Sequence, residues 1–540
     1  MKHLFFIMLL SLGCITSSAQ QYFNVRDPLH SFNSILTSVV ESNNKYFCTG
    51  VCIDSVNDLG NGTHYTIHGI KFAVFDHYGN KLSDTVYQRS DRNILSWYSE
   101  LFPQPNGSFL LAVDAIEPGT SPVFYNSIYQ FDSLGNATLI AEHTKPVCSG
   151  LNPNVDLWRL VDFKPDGFGN WLMLSTVSCA TTTGSNVNAD MLLTKLDSSF
   201  NVIWHKHYFT ANDYHNIASK LLVEPNGYII AGGANNSNWV KKNFEFHARI
   251  FRTDTAGNEL WTYLSPVTRL TNTIQDIIKT QDGGYVFCGQ GGGWELLSPS
   301  GVNSTLFWSA WVEKIDAAGN YLWSKKPYNK YYYTTELVSV KEAADGRLML
   351  FGRKYEPDSL STTQWDLHTR GWFLTLSATG DSLRERVYTN ITTCNDFNAF
   401  HDVKQTSDGG YIMVGESTDN CHTFTAPKQR GWLIKVDSNG CMSATDPQCQ
   451  PTDIPQSPEV SPTVQVYPNP VSDVLHVRIS RVPSVAAAIT IFDLYGRILL
   501  SKTITQPHTD ISLQNLPSGL YLYKITEGAV ITELGKLTKQ

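Results

Sequence analysis

The phrase DGGYVFCG at Asp282–Gly289 recurs as DGGYIMVG at Asp408–Gly415. Weaker copies stand at Asn44, Asn106, Asp166, Asn226 and Asp345, so successive copies lie 62, 60, 60, 56, 63 and 63 residues apart. A second phrase, Asp-x-x-Gly-Asn, interleaves with the first. It begins at Asp76, Asp132, Asp197, Asp254, Asp316, Ser377 and Asp437, at steps of 56, 65, 57, 62, 61 and 60. Two markers that share a period and a count of seven define a structural repeat, because chance matches do not stay in phase.

Each phrase has a physical reading. Asx-Gly between β-rich runs is a tight turn, with glycine supplying the positive φ. In Asp-x-x-Gly-Asn the aspartate caps the turn through nearby backbone. Runs such as YVFCG, WVEKI and ELWTYL have strand length and composition. Every repeat of about 60 residues therefore holds four strands. Seven four-stranded units predict an all-β fold, a seven-bladed β-propeller over residues 20–445. The last unit stops near Cys441 without a fourth strand. Residues near Tyr22–Arg26 are expected to supply it and close the ring, which hides two sheet edges.

The N-terminus reads as a secretory signal over residues 1–19. Lys2 precedes an apolar run, Leu4–Leu12, too short to span a bilayer. Ser17 and Ala19 mark a cleavage site before Gln20. Cys14, after Leu12 and Gly13, offers a rival reading as a lipoprotein cysteine. Export makes disulfides chemically permitted. Cys48 with Cys52, Cys148 with Cys179, Cys394 with Cys421 and Cys441 with Cys449 form local couples, and Cys288 is left inside an apolar run.

Net charge is −8, and no Lys/Arg cluster suits nucleic acid. No later run is long and apolar enough for a membrane span. Residues 446–463 carry Pro451, Pro455, Pro458 and Pro462 among Ser and Thr, the composition of an extended linker. Residues 464–540 then return to strand-like runs, a small C-terminal β-sandwich.

That tail resembles the C-terminal sorting domain of type IX secretion cargo from Bacteroidota. The resemblance rests on Tyr467-Pro468-Asn469-Pro470, on Asp493-Leu494-Tyr495-Gly496-Arg497, on Leu516-Pro517-Ser518-Gly519-Leu520-Tyr521, and on the basic residues Lys536 and Lys539. It implies passage through the periplasm, then outer-membrane translocation by the type IX secretion machinery, followed by release or surface attachment. The preceding repeat region resembles repeat propellers common in such secreted proteins.

Several constellations invite a chemical reading. Asp254–Trp261 and Asp316–Trp323 resemble the tryptophan-docking phrase of quinoprotein dehydrogenases; packing between blades is the simpler account. His205 with His207, and His64 with His68, share strand faces, and Asp54, Asn57 and Asp58 are grouped acceptors; solvated edges and a surface turn account for them. Asp-Ser/Thr-x triplets such as those at Asp132 and Asp254 resemble bacterial O-glycosylation acceptors, but coincide with the turns. Trp311, Trp372 and Trp432 hold equivalent positions, either as a binding rim or as wedges between blades. No nucleophile elbow, zinc motif or phosphate loop is present. The expectation is a monomeric, cofactor-free binding or adhesion module. Its glycan or protein ligand would sit on the propeller rim, at Gln290–Leu306, Tyr355–Thr369 and Ser417–Lys428. The alternative is a secreted polysaccharide hydrolase or lyase with its site in the central channel. Acidic residues facing that channel would favour the alternative.

Overall fold

In the computed structural model the chain is all-β. The structure describes residues 22–27, 33–58, 64–95, 100–117, 123–144, 158–180, 187–208, 215–235, 246–266, 271–296, 304–327, 335–357, 367–392, 396–419, 428–443, 464–479, 487–493, 497–527 and 530–540. Ala19, Gln20 and Cys14 lie outside them, as do Cys148, Cys394, Cys421, Cys449 and Gly496. The chain divides into two compact units, Met1–Asp446 and Pro447–Gln540.

The larger unit is built of four-stranded antiparallel sheets. The path Thr271–Lys279, Tyr285–Leu296, Ser304–Ile315 and Tyr321–Lys325 is typical. Neighbouring sheets touch through a single parallel bridge at Ala189–His215 and at Thr369–Phe397. Turn chemistry fixes where each strand ends. Asp316 Oδ1 accepts the Ala318 and Asn320 N–H groups at 2.9 and 2.8 Å, and its Oδ2 accepts Asn320 Nδ2 at 2.9 Å. Gly319 takes φ +84° to make that geometry reachable. In the other turn Asp282 Oδ1 accepts the Gly284 N–H and the Thr280 hydroxyl.

Two concentric sets of contacts join the sheets. On the outside, the fourth strand of one repeat packs on the Asp-x-x-Gly-Asn glycine of the next. Trp204 faces Gly257, Trp261 faces Gly319, Trp323 faces Gly380 and Tyr388 faces Gly440. A Cβ at Gly319 would lie 2.8 Å from the Trp261 ring. At Phe200, which stands where the others have glycine, φ is +64° and the side chain itself packs against Trp171.

On the inside, the first strands contact one another in turn, and Ser34–Ser42 touches both Leu101–Pro103 and Phe397–Gln405. A side chain on one first strand accepts a backbone N–H of the next. Ser38 Oγ takes Leu101, Asp162 Oδ2 takes Leu221, Asp276 Oδ2 takes Val340, and Asp402 Oδ2 takes Val39, at 2.8–3.0 Å.

Phe23–Arg26 pairs antiparallel with Lys428–Val436, in register from Phe23–Lys435 to Arg26–Trp432. Phe23 then packs on Gly79, the first repeat's turn glycine. Asp27, 1% exposed, meets Lys71 at 2.6 Å and Lys81 at 3.0 Å, and both lysines also meet Asp84. A buried ion cluster thus ties the N-terminal strand to the first repeat.

Two expectations need correction. Cys48 and Cys52 are both buried and are not bonded to each other. Both lie on Lys45–Asp58, paired with Ala73 and Gly69. Four residues of strand separate their Cα atoms by about 13 Å, well beyond the ~7 Å limit for a disulfide. Cys288 is free and buried, and burial pushes the Cys48 and Cys288 thiols well up. Cys179 has its backbone in Trp171–Ala180, paired with Asn188. Cys441 is disulfide-bonded to a partner outside the described residues. The second correction concerns Gln290–Leu306. Its described residues are not a loop but the far ends of two strands, paired from Gln290–Ala310 to Leu296–Ser304.

The smaller unit holds a three-stranded sheet, Val464–Tyr467, Val474–Ile479 and His508–Ser512. It also holds a four-stranded one, Ile498–Ile504, Ala487–Phe492, Gly519–Glu527 and Val530–Lys539. Their inner residues, Val471, Leu475, Ile489, Ile511, Ile525 and Leu537 among them, form one core. Among the described residues no helix is long and apolar enough to cross a membrane.

Candidate functional site: a cavity lined by strand bulges

Six first strands carry a β-bulge at one place, and Leu101–Pro103 does not. The register slips at Thr37, Val161, Ser219, Gln275, Val338 and His401. A bulge inserts one unpaired residue and re-aims it. All six of these residues line a single cavity of about 240 Å³, together with Ser38, Glu100, Lys220, Glu336, Arg353, Phe400 and Asp402. First strands around the whole unit therefore converge on one space.

The repeated phrase explains how. Its last glycine pairs beside the bulge, as Gly289 does with Ile274 and Gly415 with Phe400. A Cβ there would lie 1.9 Å from the Thr273 or Ala399 carbonyl oxygen. The same holds at Gly50, Gly232 and Gly352, within 1.8–2.1 Å of a first-strand carbonyl. Only glycine lets the two backbones approach that closely. The bulged residue stands seven positions before the turn Asx in five repeats: Thr37, Ser219, Gln275, Val338 and His401 precede Asn44, Asn226, Asp282, Asp345 and Asp408.

The cavity wall is an ionic network. Glu100 pairs with Lys404, which also faces Asp402 at 3.7 Å. Burial works against the Glu100 charge, but Lys404, Lys164 and Lys220 hold its carboxyl well below the ordinary range. Asp276 is likewise buried, and Lys341, Lys220 and the Val340 N–H hold it down at about 2. Burial disfavours the Lys220 ammonium, yet Asp162, Glu100 and Asp276 push its pKa up. Among the described residues no hydrogen-bond acceptor or ion-pair partner reaches the Lys220 ammonium directly. Glu336 is bracketed by Gln275 Nε2 at 3.0 Å and Arg353 at 2.6 Å. His401 Nε2 meets Glu416 Oε1 at 3.0 Å. Every shift resolved here favours the charged form.

The features singled out from sequence are elsewhere. Trp311, Trp372 and Trp432 are fully buried, each with its indole N–H donating to Ser324, Glu385 or Asn24. They are wedges rather than a rim. Trp261 and Trp323 are the braces against turn glycines described above. His205 is exposed and meets Thr194 Oγ1 at 2.9 Å. His64, Asp54, Asn57 and Asp58 have side chains outside the described residues.

In the smaller unit, Asn469 Nδ2 donates to the Lys536 carbonyl at 2.8 Å and its Oδ1 accepts the Thr538 N–H at 2.9 Å. Val471 bridges Lys539 in parallel, and Lys539 meets Asp473 at 3.4 Å. The segment Pro468–Pro470 thus docks on the C-terminal strand that carries Lys536 and Lys539. Tyr521 donates to the Pro517 carbonyl at 2.6 Å, two residues before Gly519.

Residues 465–540 match the family described as the secretion system C-terminal sorting domain. No curated protein matches the chain. Among solved structures it is similar to an α-L-arabinanase of Penicillium chrysogenum, at 10% identity over 78% of this chain and 99% of that one, with a TM-score of 0.38. It is similar to an endo-arabinase of Bacteroides thetaiotaomicron, at 9% identity over 63% and 93%, TM-score 0.32. It is also similar to the hemagglutinin-neuraminidase ectodomain of parainfluenza virus 5, at 7% identity over 78% and 85%, TM-score 0.38. These likenesses are to architecture and are carried no further. The C-terminal match makes the chain a cargo of the type IX secretion system, exported to the outer-membrane surface or beyond.

Proposed function

We propose that residues 20–445 form a seven-bladed propeller, that residues 464–540 form a sorting β-sandwich, and that the bulge-lined cavity binds a saccharide outside the cell. The observation that carries this is the convergence of Thr37, Ser219, Gln275 and His401 on one cavity of about 240 Å³. Hydroxyl, amide, imidazole and ammonium groups around a small space match the alternating donors and acceptors of a sugar ring. Phe400 also lines it, with its ring stacked on Trp432. Lys220 keeps its donors for a ligand. The rim expected from sequence is replaced here by the axis.

A second reading is a polysaccharide hydrolase or lyase. It is favoured by Glu100, Glu336 and Asp402, three carboxyl groups on the same wall. Cleavage needs a proton donor as well as a base. Glu100 is held as a carboxylate of low basicity, so under this reading it serves as nucleophile and not as proton donor.

One experiment addresses both. Bacterial, plant and host polysaccharides are incubated with the protein, and retention and reducing-end release are followed together. Binding without release supports the first reading, and release supports the second. Loss of either signal in Gln275→Ala with His401→Ala ties it to the cavity. A signal untouched by that double substitution would refute the cavity as the site.

A further inference from the structure

The second feature lies in the sorting unit. His476 on Val474–Ile479 stands directly opposite Asp510 on His508–Ser512. His508 is two residues before Asp510, so all three side chains leave one face of the three-stranded sheet. His476 Nδ1 is 2.7 Å from Asp510 Oδ1, and His508 Nε2 is 3.3 Å from the same oxygen. One ligand atom from each lies within 4.8 Å of the other two. The imidazoles stack, with centroids 5.6 Å apart and planes 20° apart. The side chains are 33%, 54% and 59% exposed for His476, His508 and Asp510, so an ion enters without any rearrangement of the core.

We propose that His476, His508 and Asp510 bind a divalent transition-metal ion of the zinc class. Two imidazole nitrogens and one carboxylate oxygen are the donor set such an ion takes, with water completing the tetrahedron. Hard cations such as Mg²⁺ and Ca²⁺ prefer all-oxygen sites and are rejected. Outside the triad, Lys502 Nζ donates to the Asp510 carbonyl at 2.7 Å and steadies that strand position. The neighbouring cations Lys502 and Arg478, the latter paired in register with His508, limit affinity without blocking the donors.

The site has a neighbour of consequence. Tyr467 pairs in register with His476, and their rings lie 5.4 Å apart. Tyr467 opens the Pro468–Pro470 segment that holds the C-terminal strand. An ion on His476 therefore cross-links the two strands beside that segment.

The full chain, stripped with a chelator, is titrated calorimetrically with Zn²⁺ and separately with Mg²⁺ and Ca²⁺. One equivalent of Zn²⁺ is expected, with no heat from the other two. His476→Ala and His508→Ala should each weaken uptake at least about tenfold. His205→Ala, on the larger unit, should leave it unchanged. Far-UV circular dichroism should be the same for all variants, because none of these residues is in a core. No stoichiometric uptake, or uptake equal in the His476→Ala and His508→Ala variants, overturns the proposal.

Discussion

Replacing Gly319 by alanine asks two things of the fold at once, and Gly283 separates them. Both glycines take nearly the same positive φ, +84° and +86°. Alanine in that region costs about 1–2 kcal/mol, partly offset by ~0.4–1 kcal/mol of lost unfolded-state freedom. At Gly283 nothing lies within 4 Å of the new methyl group, so Gly283→Ala should cost about 1 kcal/mol. At Gly319 the methyl group arrives 2.8 Å from the Trp261 ring of the neighbouring sheet. Relieving that overlap costs a further 1–3 kcal/mol or so. The assay is urea unfolding followed by tryptophan fluorescence, since all 13 tryptophans lie before residue 447 and report the larger unit alone. The midpoint should fall clearly further for Gly319→Ala. Combining it with Trp261→Ala should return a coupling of about 1–3 kcal/mol, because the overlap then has no second partner. Equal midpoints for the two glycine variants would refute the idea that outer strands brace the ring through turn glycines.

Two further outcomes follow from buried charge. Asp27→Ala leaves Lys71, which is 0% exposed, with only Asp84. A cost of about 3–5 kcal/mol is expected, read as a lower urea midpoint and faster hydrogen exchange at Phe23–Arg26; unchanged exchange there would count against the closing role of that strand. Asp114 accepts the Leu160 N–H at 2.7 Å, and burial pushes its carboxyl up to about 7. An unfolded aspartate titrates near 4, so between about pH 4 and 7 the folded state holds a proton that the unfolded state does not, and stability falls as pH rises through that window. Asp114→Asn keeps an acceptor for Leu160 and removes the charge. It should abolish that slope and raise stability above pH 7 by a few kcal/mol, whereas an unchanged profile between pH 5 and 8 would show that the carboxyl stays ionised.

Much of the architecture was legible in sequence because turns are local. Asp316 and Asp282 organise their own next four residues, so the phrases report strand ends without knowledge of the fold. The partner strand for Phe23–Arg26 was legible because a missing fourth strand leaves an unpaired edge. The cysteine couple failed for a geometric reason: proximity in sequence along an extended strand is separation in space, as Cys48 and Cys52 show. The residues that line the cavity were missed because a bulge reverses the inside–outside alternation on which strand reading depends. Nothing in TIQDI or AFHDV says that Gln275 and His401 are unpaired. Yet a signal was present. The terminal glycines Gly289 and Gly415 have no reason to be glycine as strand residues, and in five repeats the residue seven places before the turn varies while its surroundings repeat. Trp311, Trp372 and Trp432 were ambiguous between wedge and rim, because an aromatic at a repeated position satisfies both descriptions until its burial is known.

The bulges also separate two kinds of inheritance. At four of the bulges the next residue, Ser38, Asp162, Asp276 or Asp402, accepts a backbone N–H of the following first strand, while the bulged residue itself is skipped in the register. Thr37, Ser219, Gln275, Val338 and His401 therefore set the lining of the cavity without setting the strand register. Each can be reset by a single codon change, far from the others in the gene, with the ring left intact. A chain built on this frame can change the lining of its cavity without changing the strands that enclose it.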